Sequence, residues 1–305
     1  MGAAWDQSAL TSTIEYLGGR CTDEFLILED NTIRVHESFI DSDVTDVKAI
    51  QKSLFALILG VAVDRDIVQV DDPLNRYLPA GWTGLPGADE QRLTIRHLLT
   101  MTTGMDDALD PLGEIGVTWR YNNTAYNYLK RILTEQTGQT LQVLTDEWIC
   151  QPLGMKATHW VERDNRLPDG RPVSGLDMSG TDMALLGQLV AGGGTWNGDR
   201  LISEVYWKAM LSPGSDANPA WCYLWWRNDQ AHFMTPYVDR TFDRPVIPEA
   251  PAELIFAQGL EENRIYVDPI ARRVIVRRGR PAVQQGERHN FDRELWKLMN
   301  NIWSN

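Results

Sequence analysis

The stretch from Asp46 to Val63 limits what this chain can become more than any other part of it. From Leu54 to Val63 every residue is apolar, with no proline and a single glycine, Gly60. Counted from Ala49, the run is too long for one buried strand and reads as a buried helix. Lys52 sits near its start, and a lysine there is costly to desolvate unless it has a task. Residues 49 and 52 are three apart, so they share a face within a turn of the N-terminus. The partial positive end of a helix lowers a lysine's pKa and favours a neutral amine that can act as a base. A base so placed suits a nucleophile at residue 49, yet residue 49 is alanine. Ser53 cannot stand in for it, because it directly follows Lys52 and one residue on a helix turns a side chain by about 100°.

At 305 residues the chain is one large domain or two lobes with a shared core. Its apolar share of 43% and charged share of 23% are those of a soluble globular protein. A formal charge of −13 argues against nucleic acid or an anionic membrane as partner. Cys21, Cys150 and Cys222 are far apart with no CxxC, which reads as structural free thiols in a reducing compartment. His36, His97, His159, His232 and His289 are equally scattered and give no metal-ligand spacing. No metal or organic cofactor is expected. The first six residues lack a basic n-region and an apolar h-region, and no stretch reaches membrane-spanning length. The expected location is cytoplasmic.

Taken in order, residues 6–18 form a first helix with Asp6 as N-cap and Gly18-Gly19 as stop. Residues 24–28 and 32–36 are two strands around Glu29-Asp30-Asn31, a hairpin signature. Residues 93–104 read as a short helix with a glycine stop, in which His97 is a packed structural histidine. Further helices are expected over about 125–137, 141–150, 180–191 and 203–211. Gly192-Gly193-Gly194 ends one of them and lacks the lysine of a phosphate loop. From Trp221 the character changes, with strands at 223–226, 254–257, 264–267 and 273–277. The arginine-rich run from Arg272 to Arg280 suits a strand with solvated ends. Most of the twelve tryptophans are expected in the core. Residues 291–303 close the chain as an amphipathic helix with Phe291, Leu295, Trp296, Met299 and Ile302 on one side.

Two further features join Lys52. Tyr121-Asn122-Asn123 places a tyrosine and an asparagine on the loop before a helix. A tyrosine beside an ammonium can titrate low enough to exchange protons, and the asparagine can hydrogen-bond a lysine or a substrate amide. Ala257-Gln258-Gly259-Leu260 ends a strand, where glycine allows close backbone approach and a neighbouring N–H can point into the site.

With these residues in view, the chain resembles the serine beta-lactamase-like superfamily of penicillin-binding type, near class C beta-lactamases and related esterases and amide hydrolases. The resemblance runs in order through Ala49-Ile50-Gln51-Lys52-Ser53, Asp71-Asp72-Pro73-Leu74 and residues 95–104. It continues through Tyr121-Asn122-Asn123, Pro152-Leu153-Gly154-Met155 and Ile265-Tyr266-Val267-Asp268-Pro269. It implies that residue 49 would be the acylated nucleophile and Lys52 the base that activates it. Tyr121 would relay the proton to the leaving group, and Asn123 would orient Lys52 and substrate. The N–H groups of Ala49 and Leu260 would form the oxyanion hole, beside Gln258 and Gly259.

The chain departs from that pattern twice. Ala257 stands where a cation usually holds a substrate carboxylate, which turns the expectation toward an ester or amide without one; Arg264, Arg272 and Arg273 are the candidates to compensate. Ala49 replaces the nucleophile, either as a serine-to-alanine change made to trap a ligand or as a natural loss in a ligand-binding pseudoenzyme. Retention of Lys52, Tyr121 and Asn123 together favours the first, since a buried lysine without a task costs stability. The expected architecture is an α/β three-layer sandwich, an antiparallel sheet with helices on both faces, plus an all-helical lobe. The sandwich would take residues 1–66 and 206–305, and the helical lobe 67–205, with the site between them. The expected function is a serine hydrolase or acyl-transferase working through an acyl-enzyme and disabled at Ala49. Its partner would be a small-molecule ester or amide.

Overall fold

The computed structural model of the chain describes residues 5–41, 44–280 and 288–303. It opens with α1 (Gln7–Gly18), capped by Asp6, whose carboxylate accepts from the Ala9 N–H at 3.0 Å. β1 (Thr22–Glu29) and β2 (Thr32–Ser38) make the expected hairpin. Its turn residues Asp30 and Asn31 hold φ of 49° and 62°, the left-handed pair that a two-residue hairpin turn needs. A short strand, β3 (Thr45–Asp46), leads into α2 (Ile50–Asp64), every residue of which is buried from Ile50 to Ala62. Then come α3 (Gly87–Glu90), α4 (Ile95–Leu99) and α5 (Asn123–Thr137). α6 (Leu141–Thr145) passes through a π-helical turn, Asp146–Cys150, into α7 (Gln151–Leu153). Next are β4 (Thr158–Arg166), β5 (Pro172–Met178) and α8 (Gly180–Ala191). A small hairpin of β6 (Thr195–Trp196) and β7 (Asp199–Arg200) precedes α9 (Glu204–Met210). The last part holds β8 (Trp226–Arg227), β9 (Phe233–Thr235) and β10 (Val238–Phe242). It ends with β11 (Ile255–Gln258), β12 (Arg264–Asp268), β13 (Arg273–Gly279) and α10 (Arg288–Asn300).

Six strands form one antiparallel sheet in the order β2-β1-β13-β12-β11-β8. The first hairpin therefore pairs with the last strand, Leu26 opposite Val276 and Ile27 opposite Ile275. Side chains alternate along β12, so Ile265 and Val267 face one way and Arg264 and Tyr266 the other. α8 covers the first face. Gly187 lies so close that a Cβ there would meet Val274 Cγ1 at 2.5 Å. α10 covers the second, where Asp292 accepts from Arg264 Nε at 2.7 Å and from the Tyr266 hydroxyl. The Trp296 ring stands 5.4 Å from that of Tyr266 on the same side. These layers make the expected α/β sandwich.

The second lobe is not all-helical. β4 and β5 lie within it and join β3, from the first part of the chain, in a three-stranded sheet of order β3-β5-β4. β4 is mostly solvated and polar, with no alternating apolar face to mark it as a strand. α8, expected within 67–205, packs instead on the six-stranded sheet against β13 and β12. The strand expected at 223–226 shrinks to Trp226–Arg227, because Leu224 holds φ 61° and turns the chain. The helix expected over 93–104 covers only Ile95–Leu99, with Met101 left-handed beyond it. The β9–β10 hairpin has no counterpart in the sequence reading. Arg277 and Arg278 are buried rather than solvated: Arg277 donates to Arg20 O at 2.7 Å and Glu261 O at 2.5 Å, and Arg278 to Glu24 at 3.0 Å. Among the described residues no helix is long and apolar enough to cross a membrane.

Candidate active site

The entry to α2 is strained. Lys48 holds φ 57°, uncommon for a residue with a side chain, and its N–H is held by Asp46 Oδ1 at 2.8 Å. The kink sets Ala49 at the head of the helix, with Lys52 one turn on. Lys52 is 4% exposed and donates from Nζ to Asn123 Oδ1 at 2.8 Å. Its ammonium position lies 4.9 Å from the centre of the Tyr121 ring and 4.6 Å from that of Tyr126. Among the described residues no carboxylate lies within ion-pair distance of it. Burial pushes its pKa down to about 7, with Arg163 adding repulsion and Asp107 opposing. Desolvation does what the sequence reading ascribed to the helix terminus.

Asn123 opens α5. Asn122 caps that helix by accepting from the Ala125 N–H at 2.8 Å, and Asp107 Oδ1 accepts from the Asn123 N–H at 3.1 Å. These bonds fix the turn that aims Asn123 at Lys52. Tyr121 joins the same wall, but burial raises its pKa instead of lowering it. The phenol is therefore protonated at rest, and the low-pKa titration expected of it is not supported. His97 is structural, its Nδ1 at 3.1 Å from the Thr94 N–H within a capping box.

The opposite wall is the end of β11. A Cβ at Gly259 would meet Val47 O at 2.3 Å, so only glycine lets this backbone reach the α2 entry. The turn after it is anchored from behind. Arg264 donates to Gly259 O and Asn263 O, both at 2.9 Å, and the Gly279 N–H donates to Asn263 Oδ1 at 3.0 Å. Among the described residues the Ala49 and Leu260 N–H groups have no hydrogen-bond acceptor. Ala257 is fully buried, while Gln258 lines the cleft.

A cleft of about 360 Å³ joins these parts, bringing together Ala49, Lys52, Tyr121, Asn123, Gln258 and Leu260. Arg264, Arg272 and Arg273 do not enter it. They pair with Asp292, Asp30 and Glu29 respectively. Its cations are Lys48, Arg120 and Arg163 beside Lys52, and Arg163 is gripped by Asp46 at 2.6 Å. Trp226, Pro236 and Tyr237 add an apolar side. Sequence reasoning missed a second buried lysine, Lys130, whose Nζ donates to Gln51 Oε1 at 2.5 Å and Ser174 O at 3.2 Å. The signal was available: Lys130 lies seven residues after Asn123, on the same face of α5. Ser53 is turned away and donates to Leu224 O at 2.7 Å. Cys150 and Cys222 are buried thiols pushed up to about 12, and Cys21 is also free. The described residues hold no group of side chains able to bind a metal.

The sandwich and its second lobe frame the cleft, with a buried lysine one turn into the central helix. The chain belongs to the Beta-lactamase family, whose model matches residues 42–227. An uncharacterized protein of Alkalihalophilus pseudofirmus is 30% identical over 117 residues, 37% of this chain and 33% of that one. Esterase EstB of Burkholderia gladioli is 27% identical over 150 residues, 38% of each. The chain thus spans well under half the length of these two relatives. A solved beta-lactamase from Mycobacterium bovis superposes with a TM-score of 0.70 at 18% identity, over 95% of this chain and 99% of that one, and shares the fold.

Proposed function

We propose that the cleft binds an ester or amide carbonyl, with the Ala49 and Leu260 N–H groups facing its oxygen. With serine at 49, Lys52 as a neutral amine takes the hydroxyl proton while the oxygen attacks the carbonyl carbon. The two N–H groups hold the oxyanion; as it collapses, the Tyr121 phenol gives its proton to the leaving group and is reprotonated by the Lys52 ammonium. Water or another acceptor then removes the acyl group. With Ala49 the chain holds the ligand and forms no acyl-enzyme. The observation that carries this reading is the Lys52–Asn123 bond of 2.8 Å, which keeps an amine of pKa about 7 one turn from residue 49. So complete a surround supports Ala49 as a single exchange from serine in an otherwise working site.

The test compares the chain with Ala49→Ser. Each is treated with a fluorophosphonate and with p-nitrophenyl acetate, reading intact mass and released chromophore. The serine form alone should gain the adduct and turn over. No reaction in a folded Ala49→Ser protein would overturn the reading.

A further inference from the structure

Alanine at 49 changes what faces the ligand. In a serine-bearing site the hydroxyl stands between the lysine amine and the substrate. Here the side chain at 49 ends at Cβ, and Lys52 itself lines the 360 Å³ cleft. Among the described residues its Nζ has one hydrogen-bond acceptor, Asn123 Oδ1, and two tyrosine rings, with no carboxylate to hold it as an ammonium. A neutral amine uses one N–H on Asn123 and keeps its lone pair for an electrophile. The two N–H groups that suit a tetrahedral oxyanion suit one formed by any nucleophile.

We propose that Lys52 is the nucleophile of this cleft and condenses with an aldehyde or ketone to form an imine. The amine nitrogen bonds to the carbonyl carbon, and the π pair moves to oxygen between the Ala49 and Leu260 N–H groups. A nitrogen proton passes to that oxygen, giving a neutral carbinolamine. The nitrogen lone pair then expels the hydroxyl as the Tyr121 phenol protonates it, releasing water, and the remaining nitrogen proton returns to Tyr121. Carbonyl and amine become imine and water, with no oxidant or reductant. Trp226, Pro236 and Tyr237 suit an uncharged apolar or aryl substituent on that carbonyl. The groups around the amine are Arg163 of β4, Asp107, Tyr121 of the loop before α5, and Tyr126 and Lys130 of α5. Burial lowers the Lys52 pKa to about 7, which favours the unprotonated amine that the attack needs.

This shares the oxyanion donors of the reading above but needs no hydroxyl at 49, so the two can fail separately. The full chain is mixed with benzaldehyde near neutral pH and reduced with sodium borohydride, which fixes an imine as a secondary amine. Adducts are located by intact mass and peptide mapping. Lys52 should be labelled at least about tenfold more than Lys48, Lys156, Lys208 or Lys297. Lys52→Arg should remove the label. Ala49→Leu, which keeps the amine but fills the approach to it, should cut labelling by about tenfold, with a thermal melt confirming the fold. Equal labelling of all lysines, or an unlabelled Lys52, overturns the proposal. If Ala49→Ser takes a fluorophosphonate while Lys52 of the parent stays unlabelled, the hydrolase reading stands and this one falls.

Discussion

Replacing Lys52 with methionine should stabilise the fold, because the lysine carries a desolvation cost that methionine does not. Its folded pKa of about 7 against 10.5 means that the unfolded chain binds the extra proton more readily. At about 1.36 kcal/mol per pH unit, the penalty is about 5 kcal/mol at and below neutral pH. Methionine fills a similar volume but leaves Asn123 Oδ1 without its donor, which costs about 2 kcal/mol. The net gain is about 3 kcal/mol. For 305 residues, unfolding entropy of about 2.1 cal/mol/K per residue converts this to a rise in Tm of about 5 °C. The parent's penalty fades as pH rises from about 7 toward 10.5, so the gap between the two proteins should be widest at neutral pH and below. Near pH 9.5 the penalty has fallen to about 1 kcal/mol, no longer enough to offset the lost bond. Scanning calorimetry of both proteins at the two pH values reads it directly. A variant less stable than the parent at every pH, or a gap that does not move with pH, refutes the reasoning.

Two further outcomes follow from the packing. Gly259→Ala puts a Cβ 2.3 Å from Val47 O, a backbone atom that cannot swing aside. It should cost about 2 kcal/mol by thermal melt and abolish acylation of the Ala49→Ser form, since it displaces the Leu260 N–H. Asp292→Asn keeps the shape of α10 but leaves Arg264 buried without its counter-charge. It should lower stability by about 3 kcal/mol in urea titration.

The sequence carried the central helix, its misplaced lysine and the order of motifs, because these rest on local pattern: an unbroken apolar run, glycine stops, and turn residues such as Asp30-Asn31. Residues 49, 52, 121, 123 and 260 do meet in one cleft. What stayed hidden depends on distant partners. β4 is a polar strand that exists because β5 pairs with it, so Arg163 could not be placed in the cleft from Thr158–Arg166 alone. Arg277 and Arg278 read as solvated because nothing near them in sequence announces the Arg20 and Glu261 carbonyls or the Glu24 carboxylate that receive them. The pKa of Tyr121 was misjudged for the same reason. An ammonium beside it was legible; the burial that outweighs it was not.

The pairing of β1 with β13 also sets a timetable. A ribosome releases residues 22–29 long before residues 273–279 exist, so one edge of the first hairpin waits for nearly the whole chain. During that interval Phe25, Leu26 and Ile27 lack the β13 strand, and α8, which packs on β1, comes only with residues 180–191. The turn carrying Leu260 is likewise anchored by residues that arrive after it, Arg264 and Gly279. The cleft is among the last things this chain can make, and a nascent or truncated copy offers an open sheet edge where a finished one offers a pocket.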